Sequence, residues 1–341
     1  MNRLDALDWQ RGFLALSVMF YHLCSAYITP LDSSFLLGRL GIYAVSMFFV
    51  LSGLSMALVY REYLTNISSS VKFFIRRVFR ILPLLWLAIG LVIFVLGKEV
   101  SFEKIVLNAT LLFSFIDRGE YINSGAWSIG NEMVYYALTP MIIIIYNRSV
   151  MYGNALLFLS ILVGLWFSHY ALDAKVSLSS QWLVYINPLN NLFFYVSGIA
   201  IVYNFRAVKF KSVNIALMLF MSFLFFLFYP AGGDQINIAT GNSRVVFSIA
   251  SILMVLAVYK TALEIPKAMN YIFTSVGLAT YSIYLLHPII NGIVHIKIKE
   301  GSVSSGFEYV ISVALLTILI SMIVYHFLEK PFIKLGRLVT R

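Results

Sequence analysis

Arg11 and His22 are the residues of this sequence whose types and spacing most clearly permit chemistry. They lie eleven positions apart in the first apolar segment, so steps of about 100° per residue bring both side chains to one helical face, roughly 16 Å apart along the axis. Asp8 and Ser25 fall on the same stripe. An ionisable group deep in a bilayer is costly and commonly functional, so the pair predicts a site with a charged rim and a buried imidazole. The structural alternative is that Arg11 anchors the helix end and His22 forms a hydrogen bond inside the bundle.

A second candidate group opens a later apolar segment, where Trp127 and Ser128 are followed by Glu132 and Tyr136. Ser128, Glu132 and Tyr136 are neighbours at helical spacing. Glu132 lies about one turn from the membrane surface, where an unpaired carboxylate is expensive, so we expect a histidine or arginine partner on another helix. Trp127 is the kind of aromatic residue that also anchors helices at the interface.

A polar stripe along another apolar segment forms the third group. Its members follow each other at steps of 4, 3, 4 and 4: Thr280, Tyr284, His287, Asn291 and His295. Such a stripe predicts a helix that faces a cavity or the bundle interior, although a hydrogen-bonded seam between helices has the same pattern. Pro288 removes one helical hydrogen bond and predicts a kink at that point.

A basic cluster precedes the third apolar segment and comprises Lys72, Arg76, Arg77 and Arg80. If this stretch is helical, residues 72, 76 and 80 share a face and Arg77 flanks it. Guanidinium groups suit a polyphosphate because each can bind phosphate oxygens in a bidentate manner. Cytoplasmic arginines also set topology and contact anionic lipid headgroups, so the cluster alone does not separate these roles.

The composition restricts the protein to the membrane. The 341 residues are 60% hydrophobic and 12% charged, with a mean hydropathy of +0.87, whereas soluble domains carry about twice that charged fraction. The basic residues that give the net charge of +10 lie in loops on alternate sides of the helices, as the positive-inside rule expects. We therefore exclude nucleic acid as a partner. The single cysteine, Cys24, excludes an internal disulfide and a cysteine metal cluster, and no metal is expected.

These features predict an all-α integral membrane protein with about ten transmembrane helices in a single domain, 1–341. The expected spans are 12–29, 38–60, 81–96, 127–146, 150–169, 183–203, 212–229, 244–259, 274–296 and 309–327. The apolar segment 104–116 is short and is expected to be re-entrant or interfacial. With the N-terminus inside, 17 of the 25 lysine and arginine residues lie on the inner side, so both termini are expected to be cytoplasmic.

In this order, several short motifs resemble the membrane-bound acyltransferase 3 family, whose members O-acylate cell-surface glycans and some small molecules. The matching stretches are Leu7–Gly12 with His22, Phe48–Gly53, Arg76–Pro83, Trp127–Ser128 with Glu132, Tyr281–Pro288 and Glu329–Phe332. Each motif is weak by itself, but together they cover nearly the whole chain. The chain departs from common family patterns at Asn190 and Asn191, where many members carry an arginine and a glutamate. A C-terminal hydrolase-like extracytoplasmic domain, which some relatives carry, is not expected.

The resemblance implies roles for the residues found above. The family's Arg-x10-His maps onto Arg11 and His22, and its Arg-x-x-Arg onto Arg77 and Arg80. The implied donor is cytoplasmic acyl-CoA, most commonly acetyl-CoA, with its nucleotide at the three arginines and its thioester near His22. His22 is then either the general base on the acceptor hydroxyl or the carrier of the acyl group.

The resemblance also suggests partners and supporting residues. Glu132 would orient or balance an imidazole, and Tyr284 and His287 would hold the acceptor or the developing oxyanion. The implied acceptor is a cell-surface or lipid-linked glycan, such as O-antigen, capsule or exopolysaccharide, and the implied location is the bacterial inner membrane. Two other functions fit buried polar residues in a bundle: a polytopic transporter, and a non-catalytic subunit of a glycan-export system.

Overall fold

The computed structural model describes the backbone of residues 5–298 and 306–341, and every regular element in these ranges is helical. The side chains of Arg3, Lys297 and Lys299, which entered the charge count, lie outside the described part. The helices are α1 Asp5–Tyr27, α2 Leu36–Tyr60, α3 Ile67–Gly90, α4 Phe102–Ala109, α5 Phe113–Ile116, α6 Ala126–Arg148, α7 Val150–Trp166, α8 Trp182–Tyr185, α9 Pro188–Phe205, α10 Ser212–Phe228, α11 Ile236–Ala239, α12 Gly241–Lys260, α13 Lys267–Leu278, α14 Thr280–Ile298, α15 Gly306–Val324 and α16 Lys330–Val339.

Six of these helical stretches are long and apolar enough to cross a membrane, and a seventh is added if α13 and α14 form one bent span. Three of the six continue through a single π-helical turn, at Leu91–Val95 after α3, Phe167–Ala171 after α7 and Tyr325–Glu329 after α15. A long helix covers most of each of the ten predicted spans. The all-helical membrane class is therefore confirmed, while the count of about ten spans stays a prediction.

The apolar segment 104–116 forms two short helices, α4 and α5, and neither is long enough to cross a bilayer. They meet at Leu111, whose φ of 62° is a left-handed conformation that L residues seldom adopt. Asn108 supports the turn, since its amide donates to the carbonyls of Lys104 and Glu120 at 2.9 and 2.6 Å.

Glycines allow the central helices to approach closely. A Cβ atom on Gly53 of α2 would lie 2.0 Å from the carbonyl oxygen of Tyr195 on α9, and one on Gly198 would lie 2.0 Å from the carbonyl oxygen of Val50. In the same way, Gly277 of α13 leaves room for the backbone of α1. Small residues at membrane helix interfaces replace the hydrophobic driving force that lipid does not provide. The backbone of α1, which carries Arg11 and His22, is thereby held against α2, α13, α14 and α15.

The kink expected at Pro288 stays a prediction. α14 is one helix from Thr280 to Ile298 with Pro288 inside it, and the bend of 64° lies between α13 and α14, next to Ala279. The bend follows directly after Gly277, the point where α13 meets α1. Near the proline, the side-chain amide of Asn123 donates to the carbonyl of Leu285 at 2.8 Å, which attaches the loop before α6 to α14.

Candidate functional site

Arg11 lies at one end of the site, on the first half of α1. Its Nη1 atom donates to Asp8 at 2.8 Å, and its Nη2 atom forms a short hydrogen bond with the hydroxyl of Ser55 on α2. Ser55 lies on an otherwise apolar helix one turn after Ser52. Arg11 is therefore fixed by neighbours on two helices, with its charge partly balanced by Asp8.

Arg80 of α3 lies near Arg11, and Arg77 of the same helix is linked to Arg11 through their common neighbour Tyr136. The Nη2 atom of Arg77 donates to the hydroxyl of Tyr60 at 2.9 Å, and its guanidinium carbon lies 5.5 Å from the ring centre of Tyr136. Arg80 is close enough to Arg11 for mutual repulsion and is attracted by Glu329. We call Arg11, Arg77 and Arg80 the arginine cluster. Two neighbouring guanidinium groups repel each other unless an anion lies between them, so the cluster suits a phosphate group.

The remaining two basic side chains of this stretch turn away from the cluster. The Nε atom of Arg76 donates to the hydroxyl of Thr340 at 2.7 Å, and Lys72 donates to the carbonyl of Arg341 at 3.0 Å. These two hydrogen bonds attach α3 to Thr340 and Arg341, which follow α16. Helical spacing places residues 72, 76 and 80 on one side, but only Arg80 of these three lies beside Arg11.

Glu132 lies next to the arginine cluster and has hydroxyl partners. Its Oε1 atom accepts hydrogen bonds from Ser52 and from Tyr136, each at 2.5 Å. The expected histidine or arginine partner is not found at hydrogen-bonding distance in the described part of the chain. Tyr136 also stacks on Arg77, so the carboxylate joins the arginine cluster through this ring rather than through an imidazole.

His22 lies farther along α1, in a cavity of about 330 Å³ that we call the histidine cavity. Its imidazole is exposed to this space, and no described residue forms a hydrogen bond with either ring nitrogen. His287 of α14 lines the same cavity, and the two rings stack with centroids 5.5 Å apart and planes 22° apart. The structure thus joins two residues that lie 265 positions apart in the sequence.

The other walls of the histidine cavity are aromatic. Tyr284 donates or accepts one hydrogen bond with the hydroxyl of Ser128 at 2.8 Å. The Trp127 side chain is only 7% exposed and lies 5.5 Å from the ring of Trp182, so it is a wall residue rather than a lipid-facing anchor. The cavity has one carboxylate among its lining residues, Asp234, and one amide, Gln235.

Asn291 and His295 continue the polar stripe of α14 outside the cavity. The hydroxyl of Tyr309 on α15 donates to the amide oxygen of Asn291 at 2.9 Å, and the ring of His295 lies 6.1 Å from that of Tyr27. The predicted stripe therefore divides: Tyr284 and His287 face the cavity, and the next two residues fasten α14 to α1 and α15.

Sequence reasoning missed the groups that connect these residues. Ser52 and Ser55 bind Glu132 and Arg11, and Tyr60 binds Arg77. Glu329, only 1% exposed, accepts from Ser282 at 2.5 Å and lies near Arg80. The two serines, one turn apart on α2, were the feature of the sequence that could have indicated these contacts. Nothing in the spacing indicated that Glu329 would lie close to α3.

The arrangement offers two chemical environments, and α1 contributes a residue to each, Arg11 and His22. The arginine cluster can bind an anionic group, and the histidine cavity holds two imidazoles, a tyrosine hydroxyl and aromatic walls. Along α1, eleven residues separate the two by roughly 16 Å. An imidazole that faces an aromatic cavity is suited to move a proton or to carry an acyl group.

Comparison with known proteins identifies the family of this chain. Proteins of Staphylococcus aureus strains COL, MSSA476 and N315, each named "Putative O-acetyltransferase", are 23% identical over 373 aligned residues, which cover 98% of this chain. The chain spans 58% of the length of these relatives. No solved structure matches it. The family model described as an acyltransferase domain matches residues 4–326, and the chain therefore belongs to the acyltransferase 3 family.

Proposed function

We propose that this chain is a transmembrane O-acyltransferase that moves an acyl group, most commonly acetyl, from cytoplasmic acyl-CoA to a hydroxyl of a cell-surface or lipid-linked glycan. The observation that carries the proposal is that α1 supplies one residue to each region, Arg11 to the arginine cluster and His22 to the histidine cavity, eleven positions apart. Family membership and the names of the S. aureus relatives support the reaction class.

The proposed donor site begins at the arginine cluster. The phosphates of CoA lie against Arg11, Arg77 and Arg80, whose forks can each hold two oxygens. The pantetheine arm follows α1, and a reach of roughly 16 Å brings the thioester to His22. In this arrangement the short network of Glu132, Ser52 and Tyr136 lies beside the donor and fixes the stacked Arg77.

The proposed acceptor site is the histidine cavity. Aromatic faces, one carboxylate and one amide are suited to a saccharide, which presents apolar faces and many hydroxyl groups. His22 meets the acyl carbon, either as the base that activates the acceptor or as the group that carries the acyl. In this proposal the hydroxyl of Tyr284 turns from Ser128 to donate a hydrogen bond to the developing oxyanion.

The proposal includes an orientation. We place about ten helices across the inner membrane of a bacterium, with both termini in the cytoplasm, because this orientation puts most basic residues inside. The arginine cluster then faces the cytoplasmic acyl-CoA pool, and the histidine cavity lies toward the opposite side, where glycans are assembled.

Labelled acetyl-CoA tests this proposal in inside-out vesicles that contain the wild-type protein or His22→Ala, together with glycans of the host. We expect label in an alkali-sensitive glycan ester with the wild type and a loss of at least about 100-fold with His22→Ala. The variant should remain folded, because no described residue depends on a hydrogen bond to His22. Full activity of His22→Ala would disprove the role of this residue.

If the wild type transfers no label from acetyl-CoA to any acceptor, the proposed reaction is refuted. Transport of a glycan or metabolite that needs no acyl-CoA would then be the next measurement, since a transporter is the other function that buried polar residues in a bundle permit.

A further inference from the structure

The two imidazoles of the histidine cavity differ in what they can do. His287 is 2% exposed, and its Nδ1 atom lies 3.1 Å from the carbonyl oxygen of Ile283. A carbonyl only accepts, so Nδ1 of the neutral ring carries the proton and Nε2 carries the lone pair. No described residue forms a hydrogen bond with this buried Nε2 atom. His287 thus holds a free proton acceptor of fixed tautomer.

His22 has the complementary properties. Its ring is exposed to the cavity and is not held by a hydrogen bond from any described residue. It stacks on His287 at a centroid distance of 5.5 Å. One ring is therefore accessible to an incoming acyl carbon, while the other lies behind it with a buried lone pair.

Two other polar groups of the cavity already hold hydrogen bonds. The Oδ1 atom of Asp234 accepts backbone hydrogen bonds from Leu178 and Ile236 at 2.9 and 2.8 Å, so this carboxylate braces two loops. The hydroxyl of Tyr284 is paired with Ser128. An unpartnered buried nitrogen is costly to keep, which indicates that Nε2 of His287 has a partner during turnover.

We propose that Nε2 of His287 is the general base that takes the proton from the acceptor hydroxyl. This inference rests on the proposed acyl transfer and assigns its proton. The acceptor O–H bond breaks, its proton passes to Nε2, and the oxygen forms the ester bond to the acyl carbon. In this inference a ring nitrogen of His22 has already taken the acyl group from the thioester, and the CoA sulfur has left with the imidazole proton as the free thiol. The bond from the acyl carbon to that nitrogen of His22 then breaks, and the electron pair returns to the nitrogen. The proton held by His287 then neutralises it.

Hydroxylamine separates the base from the rest of the site, because it attacks acyl groups without a base and releases the CoA thiol. The variant His287→Asn keeps an amide N–H for the Ile283 carbonyl and removes the lone pair at Nε2. We expect it to lower label transfer from acetyl-CoA to vesicle glycan by at least about 100-fold, while hydroxylamine-dependent CoA release stays within about threefold of wild type. His22→Ala should lose both activities, so its residual rate measures the background of both assays.

The control is His326→Gln. The Nδ1 atom of His326 also lies near a carbonyl one turn earlier, that of Met322 at 2.9 Å, but its ring is exposed and lies outside the cavity. This variant should keep both activities.

Two results would overturn the role of His287. One is undiminished glycan acylation by His287→Asn; the other is an equal loss of both activities in a variant that elutes as a monodisperse protein and binds acetyl-CoA. If the asparagine variant does not fold, His287→Gln undergoes the same pair of assays. A wild type that forms neither glycan ester nor hydroxamate refutes the proposed acyl transfer itself, so the two failures are distinguishable.

Discussion

Replacement of Arg80 by glutamine is the most direct test of the arginine cluster. In the described part of the chain Arg80 forms no hydrogen bond and no ion pair within 4.0 Å, although Glu329 attracts it and Arg11 repels it. Its donors are therefore available to a ligand. A hydrogen bond to a charged group contributes about 1.5–3 kcal/mol, which corresponds to a KM for acetyl-CoA that rises roughly 10- to 100-fold in Arg80→Gln.

The change should appear in KM rather than in kcat, because the phosphates are far from the reacting carbon and are bound equally in the ground and transition states. Initial rates of thiol release at varied acetyl-CoA concentration measure both constants. The same assay with acetyl-pantetheine, which lacks the nucleotide and its phosphates, should show little difference between Arg80→Gln and wild type.

Arg76→Gln is the matched control, since it lies one turn away on α3 and its guanidinium is bound to Thr340. This variant should leave the KM for acetyl-CoA unchanged and weaken only the contact between α3 and Thr340. An Arg80→Gln variant that loses the same factor with acetyl-CoA and acetyl-pantetheine would refute the reasoning, because Arg80 would then support the fold or the reacting centre. A KM that rises as much in Arg76→Gln would refute it as well.

Three further substitutions test the helix packing around the site and the role of the Tyr284 hydroxyl. Gly53→Ala places a methyl group 2.0 Å from the carbonyl oxygen of Tyr195, so α2 and α9 must separate by about 1.4 Å to restore ordinary contact; we expect a loss of about 1–3 kcal/mol and a lower melting temperature in detergent. Gly90→Ala, whose new Cβ would meet no atom closer than 4.0 Å, should melt like the wild type, and an unchanged Gly53→Ala would contradict the close crossing. Arg39→Met should cost at least about 3 kcal/mol, because it leaves several buried carbonyls without donors; a melting curve that matches the wild type would show that water replaces the guanidinium. Tyr284→Phe removes the bond to Ser128 and should lower kcat by about tenfold with little change in melting temperature, whereas an unchanged kcat would exclude the hydroxyl from the reaction.

Hydropathy was sufficient to predict the helices because each apolar segment carries its own signal. The same rules locate Arg11 and His22 on one stripe, since both lie on a single helix. They do not indicate the role of Arg39, whose side chain is 3% exposed and donates to carbonyls of Ser33, Phe226, Tyr229 and Ala231 at 2.7–2.9 Å. Three of these acceptors lie at the end of α10 and in the loop after it, while Ser33 precedes α2, so their position depends on how α2 and α10 pack. Local patterns carry no information on that packing.

The site was predictable only within helices and not between them. The spacing of Tyr284 and His287 correctly gave a shared face, but the stacking of His287 on His22 depends on the contact between α1 and α14. The same limit applies to Glu132, for which an ionisable partner was expected. Hydroxyl groups of Ser52 and Tyr136 fill that role, because two donors satisfy a carboxylate without bringing a second charge into the bundle.

Asn190 and Asn191, where the chain departs from the family pattern, both contact an arginine of α12. Arg244 is 2% exposed and donates through Nη2 to the side-chain oxygens of both asparagines at 3.1 Å. No carboxylate in the described part of the chain forms an ion pair with it. Its guanidinium carbon lies 5.9 Å from the ring centre of Tyr185, which lines the histidine cavity. A buried cation held by amides and aromatic faces keeps its positive field, since neither kind of partner cancels the charge. The wall behind Tyr185 is therefore electropositive in this chain, and an acceptor with a negatively charged group near this wall would gain from it.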